Sequence, residues 1–177
     1  MFEDELKTRI SHFFENVHWK FGARSVVNPA QQPYPYWYIT LAETERSPSS
    51  NRLADCSKML ETHPVIKEAW EAISSKGIFK DRILNRCYGN AYPYGSEGTF
   101  HLDSSNSDQI TAIYYPHRSW DLNWAGETVF ADGTQITASV LPWPNRLVAF
   151  PGNTPHAARA ISRTCPLLRI TLVFKGY

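Results

Sequence analysis

The order of apolar and polar positions changes character midway along the chain. Between residues 4 and 19, Leu6, Ile10, Phe13, Phe14 and Val17 recur at steps of three and four. That is the period that gathers side chains on one face of an α-helix, so an amphipathic helix is expected there, serving as packing. Residues 33–42, PYPYWYITLA, are aromatic and β-prone with prolines confined to the start, and predict a strand. ERSPSSN then follows as a loop. A second helical region is predicted from Arg52 to Ser75, with Leu53, Met59 and Leu60 ahead of His63-Pro64 and Val65, Ala69, Trp70 and Ile73 after it. Pro64 suits the first turn of a new helix, because proline has no N–H to leave unpaired, and Gly77 suits its end.

Beyond Lys80 the pattern shortens. RILNRCY, ITAIYY, ETVF, ITASVL, RLVAF and LRITLVF are separated by clusters of Gly, Pro, Asn and Asp, as in a β-sandwich or barrel. The expected class is therefore α+β. One domain is expected over residues 1–177, with helical support and the first strands in 1–79 and a catalytic β core in 80–177. The 177 residues suit that count. A composition of 42% hydrophobic and 20% charged residues is that of a packed protein rather than a disordered one.

Eighteen Lys and Arg against seventeen Asp and Glu leave a formal charge of +1, so no global field draws in nucleic acid or an anionic membrane. The N-terminus MFEDELKTRISHFF lacks the basic start and apolar run of a signal peptide, and no segment reaches the ~18 apolar residues of a membrane span. Three widely spaced cysteines, Cys56, Cys87 and Cys165, fit reduced thiols better than a disulfide framework. The expectation is a cytoplasmic protein with a small-molecule or peptide substrate, no nucleic-acid or membrane partner, and an oligomeric state left open.

The candidate chemistry lies in the β half. In GTFHLDSS, His101 and Asp103 are two residues apart, which on a strand sends both side chains to one face. Alone, that pair is a weak signal. His156, in FPGNTPHAARA, follows the run RLVAF, where an adjacent strand could present it to the same point. Two histidines and one carboxylate make a facial triad whose opposite positions stay open for ligands, an arrangement suited to non-haem iron(II).

The stretch CYGNAYPYGSEGTFHLDSSNSDQITAIYYPHRSWDLNWAGETVF, followed by RLVAFPGNTPHAARAISRTCPLLRITLVFK, resembles the prolyl-4-hydroxylase-like branch of the 2-oxoglutarate oxygenases. The resemblance covers roughly residues 80–177. It implies a double-stranded β-helix, a jelly-roll or cupin-like barrel, with supporting N-terminal helices. It also implies Fe(II), 2-oxoglutarate and O2 as cofactor and cosubstrates, with His101, Asp103 and His156 as metal ligands. The distal carboxylate of 2-oxoglutarate would need a buried cation, since burying it unpaired is costly. Arg169 is the candidate, because guanidinium matches a carboxylate in bidentate fashion. Thr171 shares its strand face. SRTCPL makes the gap from His156 to Arg169 longer than in that branch, which leaves Arg163 as the alternative. The resemblance maps Tyr115 onto the distal carboxylate and Tyr88 onto the site, and places a glycine where Ala125 stands.

The implied reaction hydroxylates an aliphatic C–H and releases succinate and CO2. Related halogenases replace the carboxylate ligand by a small residue, so Asp103 favours hydroxylation, with desaturation and ring closure left open. Other residues have plainer readings. His12, His18 and His63 are structural. His117 is a solvated loop residue, with a substrate contact as the alternative. Trp120, Trp124 and Trp143 are expected to pack rather than frame a pocket, and Glu127 to be solvated. Tyr92, Tyr94 and Glu97 belong to a loop, either a lid or ordinary surface, and Cys87 is a buried thiol. The rivals are a zinc hydrolase, which lacks an HExxH sequence and gives Arg169 and Tyr115 no use, and a non-catalytic cupin-like binding module.

Overall fold

Alternation along the β runs sets the architecture, because successive strand residues face opposite sides. The computed structural model describes residues 1–26, 30, 34–44 and 54–177. Strands β1 (Lys20–Ala23), β2 (Tyr36–Glu43), β3 (Leu84–Tyr92), β4 (Ile110–Tyr115), β7 (Arg146–Pro151) and β9 (Arg169–Gly176) form one sheet in the order β1-β2-β3-β9-β4-β7. Strands β5 (Thr128–Asp132), β6 (Gln135–Val140) and β8 (His156–Ala158) form a smaller sheet in the order β6-β5-β8. Every pairing is antiparallel. The two inner faces meet through Ile113, Tyr115, Phe130, Phe150 and Val173, which gives the expected jelly-roll within an α+β chain.

The outer face of the larger sheet is covered by helices. Helix α1 (Asp4–Asn16) buries Leu6, Ile10 and Phe14, and α2 (Pro64–Ser74) buries Ile66, Ala69, Trp70 and Ile73. They cluster with Leu84, Cys87, Ala112, Tyr114, Leu172 and Phe174 from the strands. Gly89 admits α1 to β3, since a Cβ there would lie 2.7 Å from Phe14 Cε1. With Ala112, Tyr114, Leu172 and Phe174 turned towards the helices, Thr111, Ile113, Thr171 and Val173 turn inwards and line a cavity of about 400 Å³ between the sheets.

The boundaries differ from the expected ones in physical detail. Helix α1 stops at Asn16 rather than 19, because Val17 is already extended and the chain continues into β1, which adds an edge to β2. The second helical region opens as a 3-10 helix, Ser57–Thr62, and Pro64 starts α2 as expected. Leu53 and the ERSPSSN stretch lie outside the described residues. Strands β1 and β8 carry four and three residues, too few to show a period. Among the described residues no helix is long and apolar enough to cross a membrane.

Candidate metal centre

His101, Asp103 and His156 meet at one point of the cavity wall. His101 Nε2 lies 3.7 Å from Asp103 Oδ1 and His156 Nε2 lies 3.6 Å from Asp103 Oδ2. One ligand atom from each residue falls within 4.8 Å of the others, close enough to hold a metal ion. Ligands about 2.0–2.1 Å from an octahedral ion stand about 3 Å apart along an edge, so a bound ion would draw these groups together.

The backbone brings the ligands together in a way the period-two argument only approximated. His101 sits in an isolated bridge and not in a strand, exchanging hydrogen bonds of 3.1 Å with His156 in both directions. His156 opens β8 and is opposite Phe130 of β5, so the segment around His101 extends the smaller sheet by one row. Asp103 follows in a bend, where its N–H and that of Ser104 both donate to Gly152 O, at 2.9 and 3.0 Å.

Each side chain is aimed by a second partner. His101 Nδ1 is 2.8 Å from Thr99 O and His156 Nδ1 is 2.9 Å from Thr154 O. A carbonyl only accepts, so both rings carry their proton on Nδ1 and turn the Nε2 lone pair inwards, as metal-ligating histidines do. Asp103 Oδ2 accepts from Thr111 Oγ1 at 2.7 Å and Oδ1 from Lys175 Nζ at 2.7 Å. Burial pushes the Asp103 carboxyl upwards, but the Lys175 ammonium, His156 and the hydrogen bonds from Lys175 and Thr111 together hold it below the usual carboxylate range. Burial lowers His156, against the pull of Asp103. Both shifts favour the deprotonated forms that bind metal.

A second group of residues stands at the far end of the same cavity. Arg169 is 2% exposed, and its guanidinium donates to Gly126 O and, at 2.8 Å, to Thr128 Oγ1. Thr128 Oγ1 is in turn 2.6 Å from Tyr115 Oη. The guanidinium carbon lies 5.6 Å from the ring centroids of both Tyr92 and Tyr115. Among the described residues no carboxylate pairs with Arg169. A buried cation with no counter-ion among the described residues suits an anionic ligand. Thr171 lines the cavity beside it, opposite Asn90, and Tyr88 lines it opposite Val173. Arg163 is exposed and stands outside the cavity wall. Burial raises the phenols of Tyr88 and Tyr115, so both remain hydroxyl donors.

Several residues differ from their plain readings. His117 is buried, not solvated. Its Nε2 accepts the Ile170 N–H at 3.2 Å and its ring rests 4.4 Å from Trp120. Tyr92 belongs to β3 and stacks on Tyr36 at 4.1 Å, whereas Tyr94 and Glu97 are exposed. Trp120 packs with Ile161, Cys165 and Trp124 as expected, and Trp143 is 46% exposed. All three cysteines are buried thiols. Sequence reasoning missed Lys175, Arg86, Thr111 and Thr128. Lys175 was accessible to it, because the alternation that pairs Arg169 with Thr171 runs on through Val173 to Lys175.

Solved structures share this fold. An oxidoreductase of the 2OG-Fe(II) oxygenase family from Burkholderia pseudomallei superposes with a TM-score of 0.70 at 14% identity, covering 99% of this chain and 80% of that one. A prolyl-4-hydroxylase from Pseudomonas putida gives 0.63 at 13% identity, covering 99% and 88%. A prolyl hydroxylase from Trichoplax adhaerens, in complex with a hypoxia inducible factor oxygen degradation domain peptide fragment, gives 0.65 at 14% identity, covering 98% and 79%. No family model and no curated protein matches the chain. At these identities the likeness is one of fold.

Proposed function

We propose that this chain is a single-domain iron(II)- and 2-oxoglutarate-dependent dioxygenase that hydroxylates an aliphatic C–H bond of a small molecule, an amino acid or a natural-product intermediate, with release of succinate and CO2. The observation that carries the reading is one cavity with a His-Asp-His cluster on its wall and, at its far end, a buried guanidinium that has no carboxylate partner among the described residues. The shared fold with 2OG-Fe(II) oxygenase family proteins supports it.

His101, Asp103 and His156 would hold the iron from one side, leaving positions for ligands on the other. Arg169, with Thr171 and Tyr115, would take the distal carboxylate of 2-oxoglutarate, and Tyr88 would form part of the wall between the two. Iron(II) and the keto acid, when bound, supply the oxygen-activating redox chemistry. The chain's own residues contribute orientation and exclusion of water. Thr111 and Lys175 keep Asp103 ionised and fixed, Thr99 and Thr154 fix the two rings, and the sheets enclose the reacting space. A zinc hydrolase would leave Arg169 without a task.

Anaerobic addition of iron(II) and 2-oxoglutarate is expected to produce the weak visible charge-transfer band of the chelate. Aerobic succinate formation across amino acids, metabolites and proline-containing peptides then identifies the substrate. A protein that gives neither band nor succinate is not this enzyme. A peptidyl substrate is the alternative reading, favoured by the peptide bound to the Trichoplax adhaerens neighbour. Succinate release with peptides alone would select it.

A further inference from the structure

The cavity wall is more cationic than the reaction proposed above requires. Arg86, Arg169 and Lys175 line it, and among the described lining residues Asp103 is the one carboxylate. Arg169 is accounted for by a keto acid. Arg86 is not, and its direct cross-strand partner on the inner face of β3 and β9 is Lys175, which also holds Asp103. Like charges in that relation destabilise a sheet. Both also flank one ring, with the Arg86 guanidinium carbon 4.6 Å and Lys175 Nζ 5.5 Å from the centroid of Tyr88.

Each cation has an incomplete partner. Arg86 Nε is 3.0 Å from Glu43 Oε1, yet it is buried and makes no hydrogen bond among the described residues. Lys175 is 8% exposed and spends one of its three N–H donors on Asp103. Asp103 is also the carboxylate that a divalent ion would engage, which weakens it as the counter-ion of Lys175. The charges then sum simply. With both bound, Asp103 and the chelating carboxylate of 2-oxoglutarate would offset iron(II) and the distal carboxylate would offset Arg169, so that among the described residues Lys175 and Arg86 would share Glu43. One positive charge is left at the end of the cavity where Arg86 is partly open to solvent.

We infer that Arg86 and Lys175 form the recognition site for an anionic group, a carboxylate or a phosphoryl, on a small-molecule substrate seated over Tyr88. A cavity of about 400 Å³, near the lower end of the ~300–1,000 Å³ span of small-ligand sites, suits a compact ligand beside the keto acid. This assignment rests on the oxygenase reading for the metal and the keto acid.

The test is equilibrium binding to the anaerobic protein loaded with iron(II) and 2-oxoglutarate, followed by calorimetry and by perturbation of the charge-transfer band. The probes are short-chain carboxylic acids against their primary amides, and alkyl phosphates against the parent alcohols. The wild type is expected to prefer one class of anion over its neutral counterpart by roughly tenfold or more, as loss of a charged hydrogen bond implies. R86Q should bring that preference within about twofold of unity while leaving iron and 2-oxoglutarate affinity within about twofold of wild type. K175M should do the same to the preference, and R86Q stands alone if K175M fails to fold. Equal binding of acids and amides and of phosphates and alcohols, no saturable anion binding to the wild type, or a preference that survives R86Q overturns the inference. Failure of the band to form without any probe overturns instead the oxygenase reading beneath it.

Discussion

At the scale of single residues, the centre depends on groups that touch no metal. Thr111 donates to Asp103 Oδ2, and such supporting hydrogen bonds are worth roughly 10–100-fold in metal affinity. Thr111→Val is expected to weaken iron(II) binding by about that factor, measured by anaerobic titration, with the fold intact by circular dichroism. Arg169→Gln should raise the 2-oxoglutarate concentration needed for half-maximal succinate formation by about 30-fold or more, since truncating one member of a buried charge pair costs roughly 2–5 kcal/mol. An unchanged requirement would return attention to Arg163. His117 supplies a pH signature. Burial, helped by the Arg169 charge, pushes its imidazole from the ordinary 6.5 down to about 3. Because the folded value lies below the unfolded one, the unfolded chain takes up the proton first as pH falls. Stability from the neutral ring is full above pH 6.5 and is lost on the way down to 3, by an amount on the order of a few kcal/mol. Urea midpoints measured from about pH 6.5 to 5 should fall in wild type and fall less in His117→Asn, whose carbonyl can still accept the Ile170 N–H. Equal slopes would remove the ring from the account.

At the scale of elements, what the sequence reveals is whatever repeats over enough positions. Helices α1 and α2 and the longer strands were legible because Leu6, Ile10 and Phe14, or Thr111, Ile113 and Tyr115, mark a period. Strands β1 and β8 were not, and His117 was misjudged, because its ring is held by the Ile170 N–H, a partner 53 residues away that no local pattern announces. The metal ligands were legible through residue type and order, but their bridge and bend were not. The turn before β5 is a sharper case. Ala125 has φ 55° and ψ −138°, a conformation that favours glycine, at the position where the family resemblance puts one. Ala125→Gly is expected to stabilise the protein by about 1 kcal/mol, raising Tm by roughly 2–4 °C. The neighbour behaves in the opposite sense. A Cβ on Gly126 would lie 2.8 Å from Ile161 Cγ2 and 3.3 Å from Arg169 Cδ. Gly126→Ala should therefore lower Tm and raise the 2-oxoglutarate requirement together, and a fall in Tm with normal cosubstrate affinity would separate the turn from the site.

At the scale of the whole molecule, a net charge of +1 conceals an uneven distribution, with cations gathered on the inner face of the larger sheet. Neither Arg169 nor the His-Asp-His cluster is fully satisfied by the described residues, so occupancy should stabilise the native state as a whole. Iron(II) and 2-oxoglutarate together, each at about 100 times its dissociation constant, are expected to raise Tm by roughly 10–20 °C under anaerobic conditions. The keto acid without metal should give a smaller shift, and equal shifts would place its binding elsewhere. The mutual backbone bonds of His101 and His156 act as a rivet through the molecule. Because the two histidines are fastened to each other through their backbones, the hairpin tip around Gly133 can be lengthened, cut or grafted without moving either ring, whereas a one-residue insertion between Gly98 and His101 would turn a ligand away from its mate. Room for new specificities lies in the first region, and almost none in the second.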